Sequence, residues 1–438
     1  MTVGVGMRSL AGFTARDRRA IFLMVLVAFV AGYGGAQLGH VNVFVRLSYD
    51  LTEGGMFSIF GITRMLSLLG VGFAIAADRR GRRVPFLIVF ALLPLANLAT
   101  AFAPGVMSFT AAQSAARIAV VSIAALAVVI LAEELSPGVR ALGLGVYALA
   151  HQMGTGTGLI LLPIAEQSDG SWRVLFALTG LGLLVVPLVA RFLHESRAYV
   201  HYQKKVTFAQ ALRAGLWGHF WPLAAMAFLV AAFAAPAIDF VLERMIDDLG
   251  WDAGAARFLL IVFSGLGALG LLVGGRLADS LGRRPTTVLA LAMGLVGGEL
   301  FYIQSSGWIL APAILVASFG ISMLTPAFAA LRSELFPTRV RASAAGWVTN
   351  AGILGSITGF MLGALVVDRI GLSATILWLG LGVIIAMLLV LRLPETKGLD
   401  LVRRRAGPER TTTTTSQPAP PSAPPAPTTL LPGPSPTE

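Results

Sequence analysis

Apolar residues along this chain gather into twelve blocks joined by short polar connections. They lie near residues 20–44, 54–77, 84–104, 107–131, 140–164, 172–192, 218–242, 256–278, 285–304, 308–331, 342–366 and 372–391. Each block exceeds the ~18 residues that a helix needs to cross the hydrocarbon core of a bilayer. Polar residues do not recur at every second position within a block, so the ~10-residue strands of a membrane barrel are a poor fit. In lipid, every backbone N–H and C=O has to be bonded inside its own segment or around a closed barrel. The pattern therefore predicts an all-α polytopic membrane protein with twelve transmembrane helices.

Composition agrees, and charge adds an orientation. Of 438 residues, 56% are apolar and 13% charged, about half the ~25% charged residues of soluble domains. A water-soluble enzyme is excluded on that ground, and the absence of Cys excludes thiol chemistry and a disulfide scaffold. The net charge of +11 raises nucleic acid as a partner until the basic residues are placed. With both termini cytoplasmic, 26 of the 33 Lys and Arg fall in cytoplasmic segments. Only Arg46, Arg173, Arg244, Arg257 and Arg369 fall outside, and Arg64 and Arg117 sit within spans. That asymmetry sets topology, and contact with anionic lipid heads is secondary. Nucleic acid drops out, and a multi-pass location in the cell (plasma) membrane is expected.

The same placement divides the chain. Residues 1–19 form a basic cytoplasmic N-terminus; the following apolar block is longer than the ~7–15-residue core of a signal peptide, so it reads as a retained first helix. A six-helix bundle over 20–192, a cytoplasmic loop over 193–217 and a second bundle over 218–398 follow. The tail, 399–438, carries a TTTTT run and ten prolines from Gly407 onward, a composition expected to stay disordered.

The two bundles repeat one another. ADRRGRR (Ala77 to Arg83) after the second span returns as ADSLGRR (Ala278 to Arg284) after the eighth, with Asp78 and Asp279 201 residues apart. EELSPGVRA (Glu133 to Ala141) returns as SELFPTRVRA (Ser333 to Ala342), and HES (His194 to Ser196) as PET (Pro394 to Thr396), both at an offset of 200. Three matches in register indicate two pseudo-symmetric halves of like orientation, an architecture of transporters.

On these residues the chain resembles the major facilitator superfamily over essentially all of 20–398. The family's signature A is complete at Gly275, Asp279, Gly282, Arg283 and Arg284, and recurs as Asp78, Gly81, Arg82 and Arg83 with Ala74 in place of the leading glycine. ELFPTRVR (Glu334 to Arg341) and PETKG (Pro394 to Gly398) are similar to the sugar-porter and metabolite:proton symporter branches. The first-half counterpart of PETKG is degenerate as HESRA, and the QQ signature of sugar porters in helix 7 is missing. So is the Gly-Pro signature of drug:proton antiporters in helix 5, where GTGTG (Gly154 to Gly158) stands. The resemblance implies a gate in which Asp78 meets the start of helix 11 near Ala342 and Asp279 the start of helix 5 near Arg140, anions at positive helix termini. Glu134 with Arg140, and Glu334 with Arg341, would complete an inner charge network holding the outward-open state. The alternative is that these arginines only set topology.

Ionisable residues inside the spans mark function by default. Arg64 and Arg117 lie 14 and 16 residues before Asp78 and Glu133, so about 21–24 Å from the inner rim at ~1.5 Å per residue. Arg117 matches the helix 4 arginine that symporters of the family pair with a helix 1 acid. Helix 1 has no acid here; Tyr33, Gln37 and His40 form its polar stripe. Asp239 of helix 7 is 200 residues from Gly39, so it is expected to face His40 and to pair with Arg117 or Arg64. Protonation of Asp239 would release that arginine, coupling protons to solute. A static brace is the alternative. Two arginines against one acid favour an anionic solute such as an organic acid. His151, Gln152, Trp347 and Asn350 are further candidate cavity liners, and the Gly runs are expected to permit close helix approach.

Metal-ligand clusters, nucleophile-base pairs and phosphate loops are missing from the sequence, so no metal, no cofactor and no enzymatic activity are expected. The reading is a monomeric secondary active transporter of a small organic acid or sugar-like metabolite, in symport with protons by alternating access. A proton-driven exporter of drugs or secondary metabolites, and a non-transporting sensor on the same fold, are the alternatives.

Overall fold

The computed structural model describes residues 14–136, 139–195, 217–336 and 338–397, and the regular elements among them are helical. Almost all of the loop 193–217 and the tail 399–438 lie outside the described residues. The first half comprises α1 (Ala15–His40), α2 (Glu53–Ser67, a 3-10 turn at Leu68–Gly70, then Val71–Arg80), α3 (Arg83–Ala101), α4 (Val106–Glu134) and α5 (Arg140–Ile160). It closes with α6, whose pieces Trp172–Thr179 and Val185–Phe192 flank a 3-10 stretch. The second half comprises α7 (Trp217–Asp239), α8 (Ala253–Gly267 and Gly270–Ser280), α9 (Arg283–Ile303), α10 (Gly307–Leu335), α11 (Thr338–Ile370) and α12 (Leu372–Leu391).

Eleven of these helical runs are long and apolar enough to cross a membrane. The twelfth is α5, 21 residues long but carrying His151, Gln152, Thr155 and Thr157, a composition suited to facing other helices and a cavity. The first helix starts at Ala15, five residues before the apolar block, because Thr14 caps it. Its hydroxyl accepts from Asp17 N–H at 3.1 Å and the Asp17 carboxylate accepts from Thr14 N–H at 3.0 Å, a reciprocal capping box.

The internal repeat is written into the backbone. The six positive-φ residues among the described ones form three pairs about 200 apart: Asp50 and Gly250, Gly81 and Gly282, Gly170 and Gly371. The break in α2 ends at Gly70, and the helix α8 resumes at Gly270 after its own break, 200 residues on. Gly81 and Gly282 (φ 99° and 121°) start the turns into α3 and α9, a conformation open to glycine at no steric cost. Each turn is pinned by a carboxylate. Glu195 accepts from Arg82 N–H at 2.6 Å and Arg83 N–H at 3.3 Å. Glu395 accepts from Arg283 N–H at 2.8 Å and Arg284 N–H at 3.0 Å. The degenerate HES has thus kept the one residue that does this. A Cβ on Gly275 would meet nothing, which fits Ala74 at the equivalent position.

Lipid offers helices no hydrophobic drive to associate, so small residues and backbone proximity hold the bundles. A Cβ on Gly32 of α1 would stand 2.0 Å from the His151 carbonyl oxygen, and one on Gly154 of α5 2.1 Å from that of Phe29. In the second half, a Cβ on Gly355 or Gly359 of α11 would stand 2.0 or 2.1 Å from the Phe228 or Ala232 carbonyl oxygen of α7. The GTGTG run therefore begins in a helix crossing. Between the halves, α2 packs on α11, where Gly363 makes room for the Phe57 ring.

Candidate functional site

A cavity of about 540 Å³ lies between the two halves, within the ~300–1,000 Å³ of small-molecule sites. Six of the residues singled out from sequence reach its wall: His40 from α1, Arg64 from α2, Arg117 from α4, His151 and Gln152 from α5, and Asp239 from α7. The expected carboxylate–arginine pair is present and its partner is settled. Arg64 Nη2 donates to Asp239 Oδ2 at 2.6 Å, across the two halves. The guanidinium also lies over the Phe360 ring, 4.3 Å from its centroid, a cation–π contact that strengthens when desolvated. Arg117 has no ion-pair partner among the described residues. The cavity therefore holds one neutralised cation and one free one.

His40 is near Asp239 as the repeat required: a Cβ on the adjacent Gly39 would stand 3.0 Å from Asp239 Oδ1. His40 Nδ1 and both amide atoms of Gln37 are buried without a hydrogen-bond partner among the described residues.

Four expected liners are placed elsewhere. Gln37 is fully buried behind the wall. Tyr33, on the same stripe as His40 but about two turns earlier, turns its hydroxyl to the Leu175 carbonyl of α6 at 3.0 Å. Trp347 and Asn350 lie on α11 beside Thr349, which accepts from Arg332 Nη1 at 3.2 Å, more than two turns from Phe360. Gln113, one turn before Arg117, was not foreseen; it lines the cavity and donates to Thr100 Oγ1 at 2.9 Å.

The two rims differ. At the basic rim four ion pairs lie within a half: Arg82–Glu133 at 2.7 Å, Arg16–Glu134 at 2.7 Å, Arg283–Glu334 at 3.1 Å and Arg283–Asp279 at 3.1 Å. Glu134 thus pairs with Arg16 and Glu334 with Arg283, while the expected pairs with Arg140 and Arg341 fall on side chains outside the described residues. The side chain of Asp78 also lies outside them. Asp279 is 77% exposed and caps no helix of the other half among the described residues.

At the opposite rim the halves are bonded to each other. Arg46 pairs with Glu243 and Asp247, and Arg257 with Glu166 at 3.3 Å. Asp368 at the end of α11 accepts from Gly54 N–H and from the Thr52 hydroxyl, both at 2.9 Å, placing an anion at the start of α2 where the dipole favours it. Beneath these, Phe57 and Phe60 of α2 meet Phe240 and Phe360 of the other half, with ring centroids 4.2 Å apart for Phe57–Phe240 and 5.1 Å for Phe60–Phe360. Arg46 and Arg257, two of only five basic residues on that side, were the overlooked signal.

A membrane bundle of two repeat-related halves, with a polar cavity between them and rims that pair separately, is the architecture of secondary transporters. Comparison with known proteins gives the family. Residues 223–431 match the model of the Major Facilitator Superfamily, and residues 28–227 that of the Sugar (and other) transporter family. A gallate transporter of Pseudomonas putida is 26% identical over 413 residues, 85% of this chain and 90% of the relative. A putative metabolite transport protein of Haemophilus influenzae is 27% identical over 255 residues, 53% of this chain; that match spans 58% of the relative's length. The inward-open xylose transporter of E. coli shares the fold, with a TM-score of 0.72 at 17% identity over 89% of this chain and 99% of its own. The chain belongs to the major facilitator superfamily and is of the sugar-porter and metabolite-transporter type, not an enzyme.

Proposed function

We propose that this protein is a proton-coupled symporter of a small organic acid, with an aromatic carboxylate as the preferred solute. The single observation that carries the reading is the free Arg117 beside the Arg64–Asp239 pair in one cavity. A solute carboxylate entering there is drawn to Arg117 and competes with Asp239 for Arg64. Once Arg64 turns to the solute, Asp239 is a carboxylate losing its counter-ion in a low-dielectric site, which favours taking up a proton. Proton and acid then travel together, and their release restores the Arg64–Asp239 pair.

Phe60, Phe233, Phe301 and Tyr302 on the same wall suit a flat ring, and the gallate transporter among the relatives handles an acid of that kind. The basic rim is read as cytoplasmic from its positive charge. With the opposite rim bonded shut, the conformation is then the inward-facing one, in a monomer in the cell membrane.

Uptake into proteoliposomes of benzoate, 4-hydroxybenzoate and xylose, with and without an imposed pH gradient, tests this. Accumulation of the acids alone, dependent on the gradient, is expected. Uptake of xylose in preference to both acids, or gradient-independent uptake, would overturn it.

A further inference from the structure

The cavity is built on a symmetric frame with an asymmetric lining. Arg64 on α2 and Ser264 on α8 are equivalent positions, 200 apart, and both line the cavity. Arg117 on α4 is likewise equivalent to Ala317 on α10, and both line it, with Ser318 beside Ala317 and Ser322 one turn further along the same face. Each cation on the first half's wall is thus faced, through the pseudo-twofold axis, by a small neutral residue with a hydroxyl at or next to it. Ser318 donates to Ser264 in a long 3.4 Å hydrogen bond. That leaves the Ser264 hydrogen and lone pairs of both oxygens for a solute, since each hydroxyl offers one donor and two acceptor sites.

We propose that Ser264, Ser318 and Ser322 form a hydroxyl-reading wall, which selects a monocarboxylate carrying a neutral hydroxyl on the end away from its carboxylate and rejects dicarboxylates. This rests on the organic-acid reading above. The first half binds the carboxylate at Arg117 and Arg64, so the far end of the solute lies against α8 and α10. A hydroxyl there exchanges hydrogen bonds with the serines. A second carboxylate there meets no cation, because the charged residue that the second half contributes to this wall is Asp239. Burying an unpaired anion costs far more than leaving a neutral group unbonded. Serine is suited to the task because its rotatable O–H serves donor and acceptor alike.

Binding of benzoate, 4-hydroxybenzoate and terephthalate to the full-length protein in detergent or nanodiscs tests the wall. For the unaltered protein, 4-hydroxybenzoate is expected to bind about tenfold more tightly than benzoate, in keeping with one net hydrogen bond, and terephthalate more weakly than either. In the Ser264→Ala/Ser318→Ala variant the 4-hydroxybenzoate advantage disappears while benzoate affinity stays the same. An undiminished preference in that variant overturns the wall and leaves the organic-acid reading standing, as does terephthalate binding as tightly as benzoate. Failure of all three acids to bind the unaltered protein overturns both. Should the double variant lose benzoate as well, the Ser264→Ala and Ser318→Ala single variants decide the same question.

Discussion

Arg64 and Asp239, 175 residues apart and in different halves, meet at 2.6 Å beneath the aromatic contacts of Phe57, Phe60, Phe240 and Phe360. The pair is at once a brace between the halves and the titratable element of the proposed coupling. Asp239→Asn separates the two roles, because the amide oxygen still accepts from Arg64 while the charge and the exchangeable proton are gone. Gradient-driven accumulation should fall at least ~tenfold, equivalent to ~1.4 kcal/mol, while exchange of solute across preloaded vesicles persists. Asp239→Ala should differ, leaving the Arg64 charge, 7% exposed, without a counter-ion at a cost of about 3 kcal/mol. A lower Tm for Asp239→Ala, recovered in part by adding Arg64→Ala, is the expected result.

In the proposed binding mode Arg117 carries the solute's charge, and it makes no ion pair among the described residues. Arg117→Ala should therefore leave the Tm within a degree or two while weakening benzoate by ~10–100-fold, the range of a lost charge-assisted hydrogen bond. Arg117→Lys keeps the charge without the planar fork and should fall between the two. Isothermal titration of the three proteins with benzoate reads this directly. Unchanged affinity in Arg117→Ala would show that the carboxylate lies elsewhere.

The helix crossings make a stability prediction. Gly154 and Gly355 sit 2.1 and 2.0 Å, measured from a built Cβ, from backbone carbonyls of the neighbouring helix, and backbone cannot swing aside as a side chain can. Gly154→Ala and Gly355→Ala should each cost ~1–3 kcal/mol through overpacking, seen as a lower Tm. Gly156→Ala, where a Cβ would meet nothing, is the control and should be neutral or slightly stabilising.

How much of this was legible in the chain follows from what each feature depends on. Span number depends on local hydropathy, so it could be read directly from the chain. The repeat placed Asp239 opposite His40 because it carries spatial equivalence, and the structure keeps that neighbourhood. Rotation about a helix axis is a tertiary property, and there the reading failed. Tyr33 shares a stripe with Gln37 and His40 yet turns to Leu175, since α1 is buried on several sides and its polar face is shared out among neighbours. The pairing of Glu134 with Arg16 was hidden for another reason: the first helix starts at a Thr14 cap five residues ahead of its apolar block, which brings a supposed tail arginine into the bundle. The shut rim was invisible because it joins residues up to 316 apart, as Thr52 and Asp368 are, and no local pattern marks them.

That shut rim should respond to pH, in a direction opposite to a simple broken salt bridge. Glu243 is fully buried outside the membrane spans. Burial pushes its carboxyl up to about 7, against the opposing pull of Arg46 and with a further push from Asp247 and Glu53. Asp248, Asp368, Arg244 and Tyr302 complete the charged and titratable surroundings. The carboxylates there outnumber the two arginines, so the closed rim carries surplus negative charge. Parting the halves would return Glu243 to water and to an ordinary value of ~4.3. The closed form therefore binds the proton more tightly. Its stability relative to the open form rises as pH falls from above 7, levels off below ~4.3, and is lost again as pH rises through 7. The chain has no cysteine, so Gln167→Cys and Ser305→Cys, exposed on this rim in opposite halves, give two unique spin-label sites. The short-distance population between them should grow from pH 8 to pH 5, and Glu243→Gln should hold it near the acid value throughout. Growth of the long-distance population on acidification would mean that loss of the Arg46 pair outweighs relief of carboxylate repulsion.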